Sequence, residues 1–120
     1  MSVPLTVTER TAGSVVILEL RGRLIADEGD RILVDAVRAR SAHGQRAILV
    51  DLCEVSYMDS GGVGTLVQLL KEVAAAGGEF KLLHPSPRPA HVLRITHLTT
   101  VFEIFEEEAD ALRSFRVTPA

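Results

Sequence analysis

Cysteine is nearly absent: Cys53 is the one thiol in 120 residues, which excludes an internal disulfide, disfavours a thiolate metal cluster and fits a reducing compartment. Tryptophan is missing and aromatics make up only 4% of the chain, so the core is expected to be aliphatic and a stacking platform for bases or sugars is disfavoured. No apolar run approaches membrane-spanning length, and the opening MSVPLTVTER lacks a basic segment ahead of an apolar one. Neither membrane insertion nor export is expected, and the setting reads as cytoplasmic. A net charge of −3, with lysines and arginines spread among acids, leaves no basic stripe for nucleic acid.

What is present reads as an ordinary globular chain, 47% hydrophobic and 24% charged, and its size predicts a single domain over residues 1–120 with a core from about 5 to 115. Residues 3–9 alternate, Thr11-Ala12-Gly13-Ser14 reads as a turn, and VVILEL at 15–20 completes a hairpin. That second strand, like RAILVDL at 46–52, is apolar at nearly every position, the pattern of a strand buried on both faces.

Between them, 27–44 predicts a helix with Ile32, Leu33, Ala36 and Val37 inward, acids Asp27, Glu28 and Asp30 at its start and Gly44 as its stop. A second helix starts near Ser60, carries Val63, Leu66, Val67, Leu70, Val73 and Ala74 inward and Thr65, Gln68 and Glu72 outward, and stops at Gly77-Gly78. A strand at 79–84, a helix from about Pro89 to Ile95, a strand at 101–105 and an acidic-started helix over 106–115 follow, the last with Ala109, Leu112 and Phe115 or Arg116 inward. The first residues and RVTPA read as frayed. Alternation of strands and helices predicts an α/β fold: a mostly parallel mixed sheet, one N-terminal antiparallel strand and about four helices.

The stretch YMDSGGVGTL, residues 57–66, places Ser60 past the carboxyl end of a strand and at a helix start, where ligands and partners gather in open parallel sheets. Free N–H groups and the helix dipole there would stabilise an added phosphate, and Gly61 and Gly62 add nothing to crowd it. The plain alternative is that Asp59-Ser60 only caps the helix, since Asp and Ser are preferred caps. Other chemistry lacks its parts. Walker spacing is missing, Met58 stands where a nucleophile elbow needs its first glycine, and His43, His84, His91 and His97 read as surface or capping residues with no metal-ligand spacing. Cys53 reads as a small core residue and Glu106-Glu107-Glu108 as a solvated helix start. No acid/base pair, metal set or activated nucleophile can be assembled, so no cofactor is called for and an enzyme is disfavoured.

At YMDSGGVGTLVQLLKEVAAAGGEFKLL, together with LRGRL before the first helix and AILVDLCEVSYMDS before the second, the chain resembles the STAS domain, specifically bacterial anti-sigma factor antagonists, from about Leu5 to Phe115. The resemblance implies that Ser60 is phosphorylated by an anti-sigma factor that is also a serine kinase. The unphosphorylated antagonist captures that kinase, phosphate breaks the capture, and a serine phosphatase resets it. It further implies a docking surface around Asp59, Gly61, Gly62, Val63 and Gly64, extended by Thr65 and Gln68. Two positions depart from the family pattern: Gly61 replaces a serine or alanine, which would loosen the helix start, and Ile25 in GRLIADEGD replaces an aspartate on the partner-facing surface. The same domain also serves as an accessory subunit of lipid or anion transport systems and as a scaffold in stress-signalling complexes, and these remain the alternatives.

Overall fold

The computed structural model describes residues 4–26 and 29–116. Strand β1 (Thr6–Ala12) turns into β2 (Val15–Leu24) through Gly13, whose φ of 61° is what the first position of a two-residue hairpin loop demands. Helix α1 (Asp30–Ala42), β3 (Ala47–Met58), α2 (Ser60–Ala75), β4 (Glu79–Leu83), α3 (Pro87–Ile95), β5 (Ile104–Phe105) and α4 (Glu108–Ser114) follow. The sheet order is β1-β2-β3-β4-β5, antiparallel at β1-β2 and parallel elsewhere, as the alternation of elements predicts. Asp27, Glu28 and the two termini, expected to charge a helix start and to fray, lie outside the described residues.

The apolar runs behave as double-sided strands because helices cover both faces. On one face Val16, Leu18, Ile48, Val50 and Leu82 meet Leu33 and Val37 of α1, Leu66, Leu69 and Val73 of α2, and Leu93 of α3. On the other, Val15, Ile17, Ala47, Leu49 and Leu83 meet Ala111, Leu112 and Phe115. Ala111, not Ala109, is the buried alanine of α4, because the helix starts at Glu108 rather than 106 and its short apolar side is set accordingly. Lys81, 2% exposed, holds this helix down: its ammonium donates to the Ser114 carbonyl at 3.0 Å and hydroxyl at 2.9 Å, and sits 4.7 Å from the Phe115 ring centre. At the other end Arg10 grips Glu108 with two nitrogens.

Both central strands outrun the sequence expectation. From residue 20 on, Leu20, Gly22 and Leu24 stay inward while Arg21 and Arg23 alternate outward, so β2 continues to Leu24; β3 continues to Met58 through buried Val55. Two register shifts let the strands keep pairing, Arg21 opposite Glu54 and Arg23 opposite Tyr57. Because β4 pairs only as far as Asp51, the β2-β3 ribbon projects beyond it. The bared flank is met by the start of α3, where the Ser86 hydroxyl donates to the Val55 carbonyl at 2.6 Å.

Shorter elements than expected trace to backbone hydrogen bonds. Only Ile104 and Phe105 form β5, since the Val101 and Phe102 N–H groups both turn back to the Leu98 carbonyl. Helix α3 starts two residues early because Pro87, at its first position, needs no acceptor. Gly44 and Gly77, at φ of 83° and 84°, stop α1 and α2 as predicted, each followed by the paired N–H bonds of a Schellman turn. Ile32, expected inward, is 46% exposed, because α1 buries the Leu33-Val37 stripe and turns Ile32 to solvent. Cys53, expected in the core, is also exposed: it lies on the α4 side of β3, beyond the last strand residues that α4 covers.

Gly62 packs against the end of β2 so closely that a Cβ there would stand 2.2 Å from the Leu24 carbonyl oxygen, whereas a Cβ at Gly64 meets nothing within 4 Å. Gly62→Ala is therefore expected to destabilise the fold by at least ~2 kcal/mol and Gly64→Ala to stabilise it by ~0.5–1 kcal/mol. Urea unfolding measures both; equal effects would rule out the Leu24 contact as the cause.

Candidate functional site

The β3 strand delivers the chain straight into α2, with Met58 buried below and Asp59 as the hinge between extended and helical backbone. Asp59 is the N-cap, its Oδ1 accepting the Gly62 N–H at 2.8 Å. Ser60 therefore does not cap the helix: it is the first helical residue, it is exposed, and its hydroxyl makes no hydrogen bond among the described residues. An unengaged hydroxyl at the positive end of a sixteen-residue helix is open to a phosphate donor, and a phosphate there would gain from the helix dipole while meeting the Asp59 carboxylate.

The surrounding residues divide sharply. Ser60, Gly64 and Gln68, spaced four apart, are exposed and run as one stripe along α2. Gly62, Val63 and Thr65, expected on the docking surface, are buried. Val63 is a core residue beside Leu66. Thr65, 7% exposed, faces α1 rather than solvent, its hydroxyl lying 2.9 Å from Asp30 Oδ2 and 3.2 Å from the Gly61 carbonyl. That hydroxyl ties the starts of the two helices together, a role that helical periodicity alone did not reveal.

Gly61 has a packing role beyond its effect on the helix start. A Cβ on it would lie 2.6 Å from the Ala26 Cβ, so its bareness is what lets Ala26 lie against the start of α2. Ile25 is half-buried and bridges to Gly29 in that same connection. At the far end of the stripe Gln68 donates to Glu72 at 3.1 Å, and Glu72 receives two bonds from Arg38 of α1, at 2.9 and 2.8 Å. The Arg38 guanidinium holds the Glu72 carboxyl below its ordinary range. Beside this stripe a groove of about 540 Å3 opens between α1 and α2, lined by Asp30, Arg31, Val34, Arg38 and Gln68.

On the uncovered half of the opposite sheet face, Glu19, Asp51, Cys53 and Glu54 line a polar depression of about 330 Å3. Burial pushes the Asp51 carboxyl above its ordinary value and the Glu19 carboxylate, directly opposite on β2, adds to it; the Cys53 N–H, donating at 2.9 Å, opposes. His43, His84, His91 and His97 are exposed, as expected, and His43 and His97 sit at helix C-terminal ends.

Residues 6–111 match the STAS domain family. A candidate anti-sigma factor antagonist of Thermotoga neapolitana, named as a homolog of TM1081, is 38% identical over 69 residues, 58% of this chain and 61% of that protein. The anti-sigma F factor antagonist of Paenibacillus polymyxa is 25% identical over 103 residues, covering 86% of this chain and 88% of that one. The chain spans about three fifths of the length of the Thermotoga relatives it matches, 61% and 65%. In three dimensions the crystal structure of TM1081 from Thermotoga maritima superposes with a TM-score of 0.82 at 25% identity, covering 92% of this chain and 95% of that one.

Two outcomes follow from the site's geometry. Asp59→Ala is expected to cost about 1 kcal/mol of stability and Ser60→Ala less than about 0.5 kcal/mol; equal losses in urea unfolding would return Ser60 to the cap. Asp51, with a folded-state pKa above its unfolded one, favours folding below the unfolded value and loses that contribution as pH rises through the folded one. Asp51→Asn is expected to stabilise the protein at neutral pH and to make no difference at about pH 3, as read from thermal melts.

Proposed function

Since the chain belongs to the STAS domain family, we propose that it is an anti-sigma factor antagonist that works by partner switching, without catalysis of its own. Unphosphorylated, it captures an anti-sigma factor that is a serine kinase; phosphate on Ser60 releases that kinase, and a serine phosphatase restores capture. The observation that carries this reading is the division of labour at the start of α2: Asp59 caps the helix, so the exposed Ser60 hydroxyl has no structural task. The names of the relatives from Thermotoga and Paenibacillus support the same assignment.

The docking surface is the exposed stripe Ser60-Gly64-Gln68 with the α1-α2 groove beside it. Asp59, Gly61 and Ile25, half-buried at its head, shape it from beneath. Adding ~1.5 to 2 negative charges at the head of that stripe breaks a docked interface by repulsion and desolvation, with no refolding required. The bare Gly64 lets a partner backbone approach within a turn of Ser60. Among the described residues no helix is long and apolar enough to cross a membrane.

The test uses the purified cognate anti-sigma kinase. With ATP it is expected to phosphorylate the wild-type chain and not Ser60→Ala, while Ser60→Asp binds at least about tenfold more weakly than Ser60→Ala in titration calorimetry. Equal affinity of the two variants, or phosphate incorporated elsewhere, would overturn the proposal.

A further inference from the structure

Tyr57, at the tip of the β2-β3 ribbon and three residues before Ser60, is met by two cations from different elements. The Arg23 guanidinium, opposite it on β2, lies 5.6 Å from the ring centre, and that of Arg88, in the first turn of α3, lies 5.0 Å away. Arg10, Arg21, Arg38, Arg40 and Arg113 each hold a carboxylate of this chain. Arg23 and Arg88 form no ion pair among the described residues; their shared neighbour is an aromatic face.

Two like charges drawn to one ring repel one another, and the ring quadrupole offsets this only in part. Carboxylates brought to both guanidiniums would relieve the repulsion and accept charge-assisted, directional hydrogen bonds from each fork. The ring meanwhile limits the rotamer freedom that each arginine would otherwise lose on binding. Arg88 is exposed and Arg23 half-buried, so both are within reach of a docked chain. On the α1 side the same end of the sheet carries carboxylates, Asp30 and Asp59. The Tyr57 side carries two arginines that hold no carboxylate among the described residues, and acid on a partner would match them.

We infer that Arg23 and Arg88, gathered on Tyr57, receive an acidic segment of the protein that docks at the Ser60 end of the sheet, and so select that partner by charge. This rests on the docking role assigned to that end above. An acidic peptide chain, rather than a small anion, is the occupant because the two guanidiniums belong to separate elements, β2 and α3, at the end of the sheet assigned above to a docked protein.

The experiment is an NMR titration of the isotope-labelled full chain with acetylated hexaglutamate at low ionic strength, following arginine Nε–Hε signals. Arg23 and Arg88 are expected to shift and saturate. The Arg23→Gln/Arg88→Gln pair should weaken binding about fivefold to tenfold, and about 0.15 M salt should weaken it further. Arg94→Gln, an exposed arginine near the other end of α3, should leave the affinity unchanged. Tyr57→Phe should retain the response and Tyr57→Leu lose it, which separates the ring's positioning role from its hydroxyl. Absence of shifts at Arg23 and Arg88, equal shifts at all arginines, or an equal response to inorganic phosphate would overturn the proposal. The titration contains neither kinase nor ATP, so its failure removes the arginine contact and leaves the Ser60 switch to its own assay.

Discussion

The contact on which the rest of the molecule depends is the approach of the α2 start to the end of β2. With the Leu24 carbonyl oxygen 2.2 Å from where a Gly62 Cβ would be, and the Ala26 Cβ 2.6 Å from that of Gly61, the helix can begin in only one place. Backbone-to-backbone contact of this kind leaves no side-chain freedom to absorb error. It forces the cap onto Asp59, pushes Ser60 out to solvent and brings Thr65 against Asp30. The switch proposed for Ser60 needs a serine whose modification alters a surface and not a core, and this packing separates the two within a few residues.

The sheet is covered unequally, and the inequality divides support from interaction. Near the amino ends of the parallel strands both faces are sealed, one by α1, α2 and α3 and the other by α4 under the grip of Lys81 and Arg10. Toward their carboxyl ends the β2-β3 ribbon runs on past β4, its charged residues facing water and α3 bracing one flank. A rigid, double-covered base thus carries a projecting tip, and the groups with unfulfilled chemistry, the Ser60 hydroxyl and the Arg23-Tyr57-Arg88 cluster, gather at that tip.

Much of this was legible in the chain itself wherever a local rule acts on neighbouring residues. The Gly13 turn, the double-sided runs VVIL and AILV, the glycine stops at Gly44 and Gly77, and the helix start beside Ser60 each follow from backbone stereochemistry or periodicity over a few residues. The misplacements share one cause: each was settled by a segment distant in sequence. Helical spacing puts Val63 inward, where it lies, but also puts Thr65 outward, and α1 claims that side chain. Cys53 continues an apolar strand, the pattern of a core residue, but α4 ends before reaching it. Gly61 looks permissive in sequence and is in fact demanded by Ala26, thirty-five positions earlier.

By itself, then, the sequence determined the order and type of the elements, the α/β class and the placement of a serine at a helix start, because hydrophobic period, turn chemistry and capping preference are properties of short windows. Tertiary structure alone decided which side chains around that serine reach solvent. It freed the Ser60 hydroxyl by giving the cap to Asp59, took Val63 and Thr65 out of reach, and assembled Arg23, Tyr57 and Arg88 from β2, β3 and α3 on one ring. Exposure and charge pairing depend on what packs across from a residue, and no window of the chain contains that neighbour.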